Sequence, residues 1–185
     1  MLNVEAYALL REAPSTLKET SRSGNLKAPM TESIMPVVDF DLVKDNYVKE
    51  LSANGLSISE TPTSSDAFYI HCNGEMYLIE FKSGVMEEGK NHNVRRKMLD
   101  SLLLLTDIID KKISHTRKEL NYILVYDKNT QKDSFAEIAK SVSRDGNKEF
   151  VRFGLQRFET IYFKRVFTVT RERFEKQFVN AWTAS

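Results

Sequence analysis

The run from Glu75 to Lys82 limits the possible folds of this chain more than any other part of the sequence. Successive side chains of a strand point to opposite faces, and here both faces are apolar until Glu80, so the run predicts a buried strand. The dipeptide Asn73-Gly74 just before it is a typical hairpin turn. We therefore expect an antiparallel meander of three strands, at Leu56–Ser59, Ala67–Cys72 and Glu75–Phe81.

Helical patterns flank this meander on both sides. Residues 40–53 have apolar side chains at helical spacing, and Asn54-Gly55 predicts a helix end. Val94, Met98, Leu102, Leu105 and Ile109 follow at steps of three or four and predict a long, mostly buried helix at about 90–113. Further along we expect a strand at Asn121–Tyr126, a helix at Ser134–Val142, a strand at Glu159–Thr170 and a helix at Thr170–Trp182. This order favours an α/β or α+β fold around one mixed sheet.

Length and composition agree with one ordinary globular domain. The chain has 185 residues with 41% hydrophobic and 29% charged residues, which is typical of a single folded unit. Residues 1–36 end in a stretch rich in Ser, Thr, Pro and Gly, and we expect a flexible N-terminal arm there. Residues 37–185 are then the single domain, with a core at about 37–127 and an extension at 128–185.

Several function classes are disfavoured by the composition. The formal net charge is +1, so a nucleic-acid surface would have to be a local patch. Cys72 is the only cysteine, which excludes an internal disulfide and a Cys-rich zinc site and fits a reducing compartment. Because no apolar block is long enough to span a bilayer, we expect a cytoplasmic protein without membrane contact. His71, His92 and His115 are too dispersed to predict a metal site, and alternation argues against a Cys72–His71 dyad.

Asp66, Glu80 and Lys82 form the most informative constellation. Glu80 and Lys82 share a face near the end of their strand, and Asp66 opens the preceding strand of the hairpin. The turn at Asn73-Gly74 lies nearly midway between the two acidic residues, so both carboxylates come to the same end of the ribbon. Two adjacent carboxylates repel, and a divalent cation such as Mg²⁺ relieves this while organising a phosphate. These residues suffice for metal-dependent phosphodiester hydrolysis, with Lys82 as the cationic group.

The pattern Ser65-Asp66 followed by Glu80-Phe81-Lys82, within a helix, three-strand, helix, strand order, resembles the PD-(D/E)xK nuclease superfamily. The resemblance covers about residues 37–127 and implies a restriction-endonuclease-like core, with a C-terminal helix-strand-helix extension outside it. It also implies Mg²⁺ (or Mn²⁺) at Asp66 and Glu80, with Lys82 as a catalytic residue. Ser65 stands where the superfamily's name-giving proline would be.

The same resemblance suggests additional site residues. An acidic residue on the first helix often assists in this superfamily, and Glu50 is the first candidate and Asp45 the second. Polar residues on the helix after the lysine-bearing strand can reach the phosphate backbone. Arg95, Arg96 and Lys97 are therefore candidates for binding nucleic acid, either DNA or RNA. Because one site cuts one strand, a homodimer or a protein partner is plausible.

Other interpretations remain open at this stage. Asp66 could cap a turn, and Glu80 with Lys82 could form a surface ion pair. The protein could then be a catalytically inactive member of the fold that serves as a binding or assembly module in a defence or toxin-related system. It could also be a globular interaction protein. The aromatic residues among the cations of Arg152–Lys176 could grip nucleic acid, although we expect most of them to be core residues with snorkelling basic neighbours.

Overall fold

The structure, a computed structural model, describes residues 2–22, 28–85, 91–128 and 151–184. Within these ranges a six-stranded sheet runs in the order β1-β2-β3-β4-β5-β6. The first four strands pair antiparallel, and β4, β5 and β6 pair parallel. The strands are β1 (Pro14–Thr16), β2 (Pro36–Asp39), β3 (Ala67–Ile70), β4 (Met76–Lys82), β5 (Leu120–Tyr126) and β6 (Arg165–Thr170). The expected mixed sheet is confirmed.

Helices cover both faces of this sheet. The helices are α1 (Ala8–Arg11), α2 (Leu17–Thr20), α3 (Phe40–Ala53), α4 (His92–Ile108), α5 (Ile113–Glu119), α6 (Arg171–Phe174) and α7 (Asn180–Thr183). A π-helical segment, Glu175–Val179, joins α6 to α7. One buried cluster includes side chains of α1, α3 and α4, and the other includes side chains of α2, α6 and the π-helical segment.

Strand β4 lies at the centre of this arrangement, as the sequence predicts. Met76 and Leu78 belong to the cluster on the α4 side, and Tyr77, Ile79 and Phe81 belong to the opposite cluster. The hairpin partner is β3, with Tyr69 opposite Tyr77. Because β4 is buried on both faces, its polar residue Glu80 is also buried.

The first strand of the predicted meander is wrong. Residues 56–59 form no strand, and Leu56 is exposed. The place beside β3 is taken by β2, which lies before helix α3 in the chain and pairs Val38 with Phe68. Val37 and Val38 are both buried, so pairing at β2 buries apolar side chains that pairing at Leu56 would leave in water.

The described part of residues 1–36 carries secondary structure, which corrects the expectation of a flexible arm. Strand β1 pairs with β2, and Leu10, Ala13 and Leu17 are buried in the core. The Arg171 guanidinium donates hydrogen bonds to the carbonyl oxygens of Pro29 and Met30 at 2.9 and 3.0 Å. The segment thus contributes to both buried clusters, although the domain boundary at residue 37 stays a prediction.

The other predicted helices and strands differ from the observed ones mainly in where they begin and end. Helix α3 begins after Asp39, whose carboxylate accepts a hydrogen bond from the Leu42 N–H at 3.0 Å, an ordinary N-cap. Helix α4 ends at Ile108, short of the predicted end at 113, and Asp110 has a left-handed φ of 49°. The predicted strand at 159–170 is reduced to β6, because Thr160 has a left-handed φ of 65°. The predicted helix at 134–142 lies outside the described residues.

No helix in the described part of the chain has both the length and the apolar character needed to cross a lipid bilayer.

Candidate active site

Asp66 is held where strands β2, β3 and β4 meet. Its N–H donates to the Ile79 carbonyl oxygen at 3.0 Å, and its carbonyl oxygen accepts from the Phe40 N–H at 3.3 Å. The carboxylate Oδ2 accepts a hydrogen bond from the Phe81 N–H at 2.6 Å. The Asp66 side chain is therefore fixed against β4 beside Glu80, and its side chain is 15% exposed.

The two predicted carboxylates converge on a single cation. The Lys97 Nζ atom lies 3.1 Å from Asp66 Oδ1 and 2.9 and 3.0 Å from the two Glu80 oxygens. The Glu80 side chain is only 3% exposed, whereas that of Lys97 is 29% exposed. The geometry expected of Asp66 and Glu80 is thus present, and Lys97, predicted as a nucleic-acid contact, lies between them.

The segment before Asp66 is tied to helix α4. The Asp100 carboxylate accepts hydrogen bonds from the Thr63 N–H and hydroxyl, both at 2.8 Å. The Ser65 N–H donates to Ser101 Oγ at 2.7 Å, and the Ser101 hydroxyl donates to Ser65 Oγ at 3.1 Å. A proline at position 65 has no N–H and would lose the bond to Ser101. The serine at the superfamily's proline position therefore has a structural role here.

On helix α3 the acidic residue that acts on the pair is Asp41, which was not among the residues predicted from the sequence. Its carboxylate accepts a hydrogen bond from the Ser64 hydroxyl, and its charge acts on both Asp66 and Glu80. Glu50 and Asp45 are both exposed, and Asp45 pairs with its neighbour Lys44 at 2.9 Å. Asp41 acts on the pair and Glu50 and Asp45 do not approach it, because Asp41 is in the first turn of α3. This turn directly follows β2 and is hydrogen-bonded to Asp66 through the Phe40 N–H.

Burial and mutual repulsion dominate the electrostatics of this acidic pair. Burial raises the pKa of Asp66 to about 6, against the opposing effects of Lys97 and the Phe81 N–H. Burial, followed by the charge of Asp66, raises the pKa of Glu80 well above its usual range. For Lys97, burial acts to lower the pKa, but the charges of Glu80 and Asp66 outweigh it and the net shift is upward. The pair thus holds more negative charge than its surroundings stabilise, which favours cation binding.

Tyr122 is a buried residue on which the charges of the acidic pair act. It is fully buried on β5, and its hydroxyl has no hydrogen-bond partner among the described residues. Burial and then the charges of Glu80 and Asp66 raise the pKa of Tyr122 well above its usual range, against a smaller opposing effect of the nearby Ser65 side chain. Tyr122 was not predicted as a site residue, because the apolar run around it indicates only a buried strand.

Lys82 shares a strand face with Glu80, as predicted, and is half-buried. It makes none of the hydrogen bonds that join Asp66, Glu80 and Lys97. The geometry therefore brings Asp66 and Glu80 together and places Lys82 at the same strand end, outside the bonded cluster.

Arg95 and Arg96 are directed away from this cluster. Arg95 Nη2 donates to the Phe153 carbonyl oxygen at 3.3 Å, and Arg96 Nε lies 3.5 Å from the Asp100 carboxylate. Successive residues of a helix point about 100° apart, so three adjacent cations cannot face one cleft. Of the three, only Lys97 reaches the acidic pair.

Two further expectations concern residues outside the cluster. Phe153, Phe158 and Phe163 are buried, which confirms that most aromatic residues of the basic C-terminal segment are core residues. Cys72 Sγ lies 3.7 Å from His71 Nε2, so the expectation that strand alternation separates these two side chains is wrong. Both residues follow the end of β3 in the turn, where strand alternation no longer applies.

Comparison with known families decides what kind of protein carries this site. The model of the family described as "Type II restriction endonuclease, HinfI" matches residues 19–176. The chain belongs to this family. No curated protein and no solved structure matches the chain.

The HinfI family is a PD-(D/E)xK restriction-endonuclease-like family, so the resemblance drawn from Asp66, Glu80 and Lys82 is confirmed. Within the described ranges no cluster of three or more His, Cys, Asp or Glu is arranged to hold a metal ion. Two carboxylates nevertheless fit Mg²⁺, which usually keeps several waters and takes one or two protein carboxylates together with substrate phosphates. The donor atoms of this HinfI-family chain are therefore of the right kind for the ion.

Proposed function

We propose that this protein is a metal-dependent endonuclease that hydrolyses phosphodiester bonds in DNA. The observation that carries the proposal is the convergence of Asp66 and Glu80 on one cation at the end of β4, in a chain of a restriction endonuclease family. Asp66 and Glu80 would hold Mg²⁺ or Mn²⁺. The single cysteine, which is exposed, agrees with action in the reducing cytoplasm.

Some residues of the site would bind the ion, and others would stabilise the negative charge of the phosphate. The bound ion would supply an activated water and neutralise charge on the phosphate. Asp66 is held in place by the Phe81 N–H, so its carboxylate is pre-oriented. Lys82, on the same strand face as Glu80, would stabilise the negative charge that develops on the phosphate. In the reaction the water oxygen bonds to phosphorus while one ester P–O bond breaks, leaving a hydroxyl and a phosphate monoester.

Cleavage of a duplex requires a second site. One Asp66–Glu80 pair acts on one strand, so we propose that the active form is a homodimer or an assembly with a protein partner. Among the cations predicted to contact nucleic acid, Arg96 is exposed and pairs only loosely with Asp100 at 3.5 Å. Exposed ion pairs of this kind are weak, so Arg96 is available to a DNA phosphate.

The test compares plasmid cleavage by the wild type with that by Asp66→Asn and Glu80→Gln, with Mg²⁺ or Mn²⁺ and with EDTA. The matched control is Glu75→Gln, which makes the same chemical change at a glutamate one residue before β4. We expect cleavage by the wild type and the control with metal, and none by either site variant.

Two results would contradict this proposal in different ways. Cleavage that persists in Glu80→Gln or in EDTA would contradict the assignment of the metal site to Asp66 and Glu80. DNA binding by the wild type without cleavage under any metal condition would instead favour the non-catalytic binding module.

A further inference from the structure

We propose that Lys97 is a resident counter-ion whose ammonium group occupies the place between Asp66 and Glu80 that the divalent ion takes, so that ion binding must displace it. This inference rests on the proposed function, because it presupposes that the two carboxylates bind the ion. In this proposal the Lys97 ammonium group competes with the divalent ion and so raises the concentration of free metal at which the site is half occupied.

The contacts of Lys97 show why the two cations exclude each other. Its Nζ atom is within 3.1 Å of three carboxylate oxygens, one from Asp66 and two from Glu80. An ion bonded to both carboxylates at about 2.0–2.6 Å must lie between the same oxygens. The ammonium group and the ion would then overlap in space, and their like charges would repel.

Lys97 is also placed so that it can leave. Its side chain is 29% exposed, whereas the Glu80 side chain is 3% exposed, so the ammonium end has access to water. Lysine carries its charge on a flexible four-carbon stem, which can swing outward without a change in the helix. Because the stem stays anchored on α4, the ammonium group remains close and can return when the ion dissociates.

The structure distinguishes Lys97 from Lys82 in this role. Lys82 lies on the same strand face as Glu80, but it makes no hydrogen bond to Asp66 or Glu80. Lys97 comes from α4, a separate element packed over the sheet, and supplies every side-chain hydrogen bond that links the two carboxylates. Removal of Lys97 alone therefore frees the ion position.

Calorimetric titration of Mn²⁺ without DNA tests this competition. The variants are Lys97→Met, which keeps an unbranched side chain one atom shorter and without the charge, and Lys118→Met, the same change at an exposed lysine on α5. If the ammonium group occupies the position for more than nine-tenths of the time, its removal lowers the apparent Kd at least about tenfold. We expect this gain in Lys97→Met and no change in Lys118→Met.

The outcomes separate the two proposals. Equal affinity in wild type and Lys97→Met, or weaker binding in Lys97→Met, with binding abolished by Glu80→Gln, overturns the counter-ion while leaving the metal site in place. Absence of Mn²⁺ binding in every protein, Lys97→Met included, overturns the metal site and the counter-ion together. Binding by Lys97→Met but not by the wild type supports both.

A second measurement uses only the wild-type protein, so it tests the proposal even if Lys97→Met does not fold. An amine-reactive label, located by mass spectrometry, reports how accessible each lysine is with and without Mn²⁺. We expect labelling of Lys97 to rise several-fold when Mn²⁺ is bound, while the exposed Lys118 stays constant. Unchanged labelling of Lys97 at a Mn²⁺ concentration that saturates the calorimetric signal overturns the proposal.

Discussion

Replacing Glu80 by glutamine should stabilise the metal-free protein while removing metal binding. Glu80 and Asp66 place two carboxylates against one ammonium group, in a site where the Glu80 side chain is 3% exposed. Glutamine keeps the shape and removes one of the two negative charges. Lys97 then retains Asp66 as its partner, and the remaining pair is neutral.

The expected change in the free energy of unfolding follows from the pKa of Asp66, the less buried of the two carboxylates. The pKa of Asp66 rises from 3.8 to about 6, and each unit corresponds to about 1.4 kcal/mol, so the folded state disfavours that ionised carboxylate by about 3 kcal/mol at neutral pH. Glu80 is buried more deeply, so its cost is at least comparable. Loss of its charged hydrogen bonds to Lys97 offsets about 1.5–3 kcal/mol. We expect a net gain of up to about 1.5 kcal/mol, or an increase in Tm of up to roughly 6 °C.

Urea unfolding in EDTA, followed by the fluorescence of Trp182, measures this change. Trp182 is the only tryptophan and is buried beside Tyr77 and Phe178, so its emission reports the loss of packing. The matched control is Glu75→Gln, since Lys164 and other partners lower the pKa of Glu75 and its charge is stabilising. We expect the control to lose about 0.5–1 kcal/mol. A Glu80→Gln variant less stable than the wild type would contradict this prediction, because the ionised Glu80 would then be a net source of stability.

Three further outcomes follow from single contacts. The stability difference between wild type and Glu75→Gln should shrink as the pH falls below about 4.5. The charge of Glu75 contributes fully above its unfolded pKa of 4.5, and this contribution is lost as the pH falls through the lowered folded-state pKa. Urea midpoints from pH 3 to 7 check this, and a constant difference would contradict it. Ser101→Ala leaves the buried Ser65 N–H without its partner and should cost about 1–3 kcal/mol in the same urea assay, whereas an unchanged midpoint would show that this contact is dispensable. Tyr122→Phe removes a buried hydroxyl that has no hydrogen-bond partner among the described residues and should raise the calorimetric Tm or leave it unchanged. A Tm lower by more than 3 °C would show that the hydroxyl is bonded.

Local features of the sequence were enough to predict the hairpin and its acidic pair. Strand alternation and the turn at Asn73-Gly74 are short-range properties, and together they place Asp66 and Glu80 at one end of the ribbon. Helix α3 and the core of α4 were predicted for the same reason, since their apolar stripes follow the helical repeat. The class of fold followed from the order of these elements.

The partner of β3 could not be predicted in this way. Both Leu56–Ser59 and β2 are short β-prone runs, and the sequence of neither run indicates which strand it pairs with. Their positions depend on which run buries more apolar surface when the helices pack. Asn54-Gly55 and Pro62 make residues 54–62 a connection, while Val38 beside Phe68 completes the core.

The two carboxylates that could bind a divalent ion are predictable from the sequence, because Asp66 and Glu80 are joined by a hairpin whose geometry is local. The residues that surround this pair depend on tertiary packing. Asp41, Lys97 and Ser101 come from helices α3 and α4, and their approach depends on how the helices pack over the sheet and on their rotation about their axes. A rotation of one residue moves a side chain about 100° around a helix, and the packing of Val94, Met98 and Leu102 in the core is what turns Lys97 toward the carboxylates.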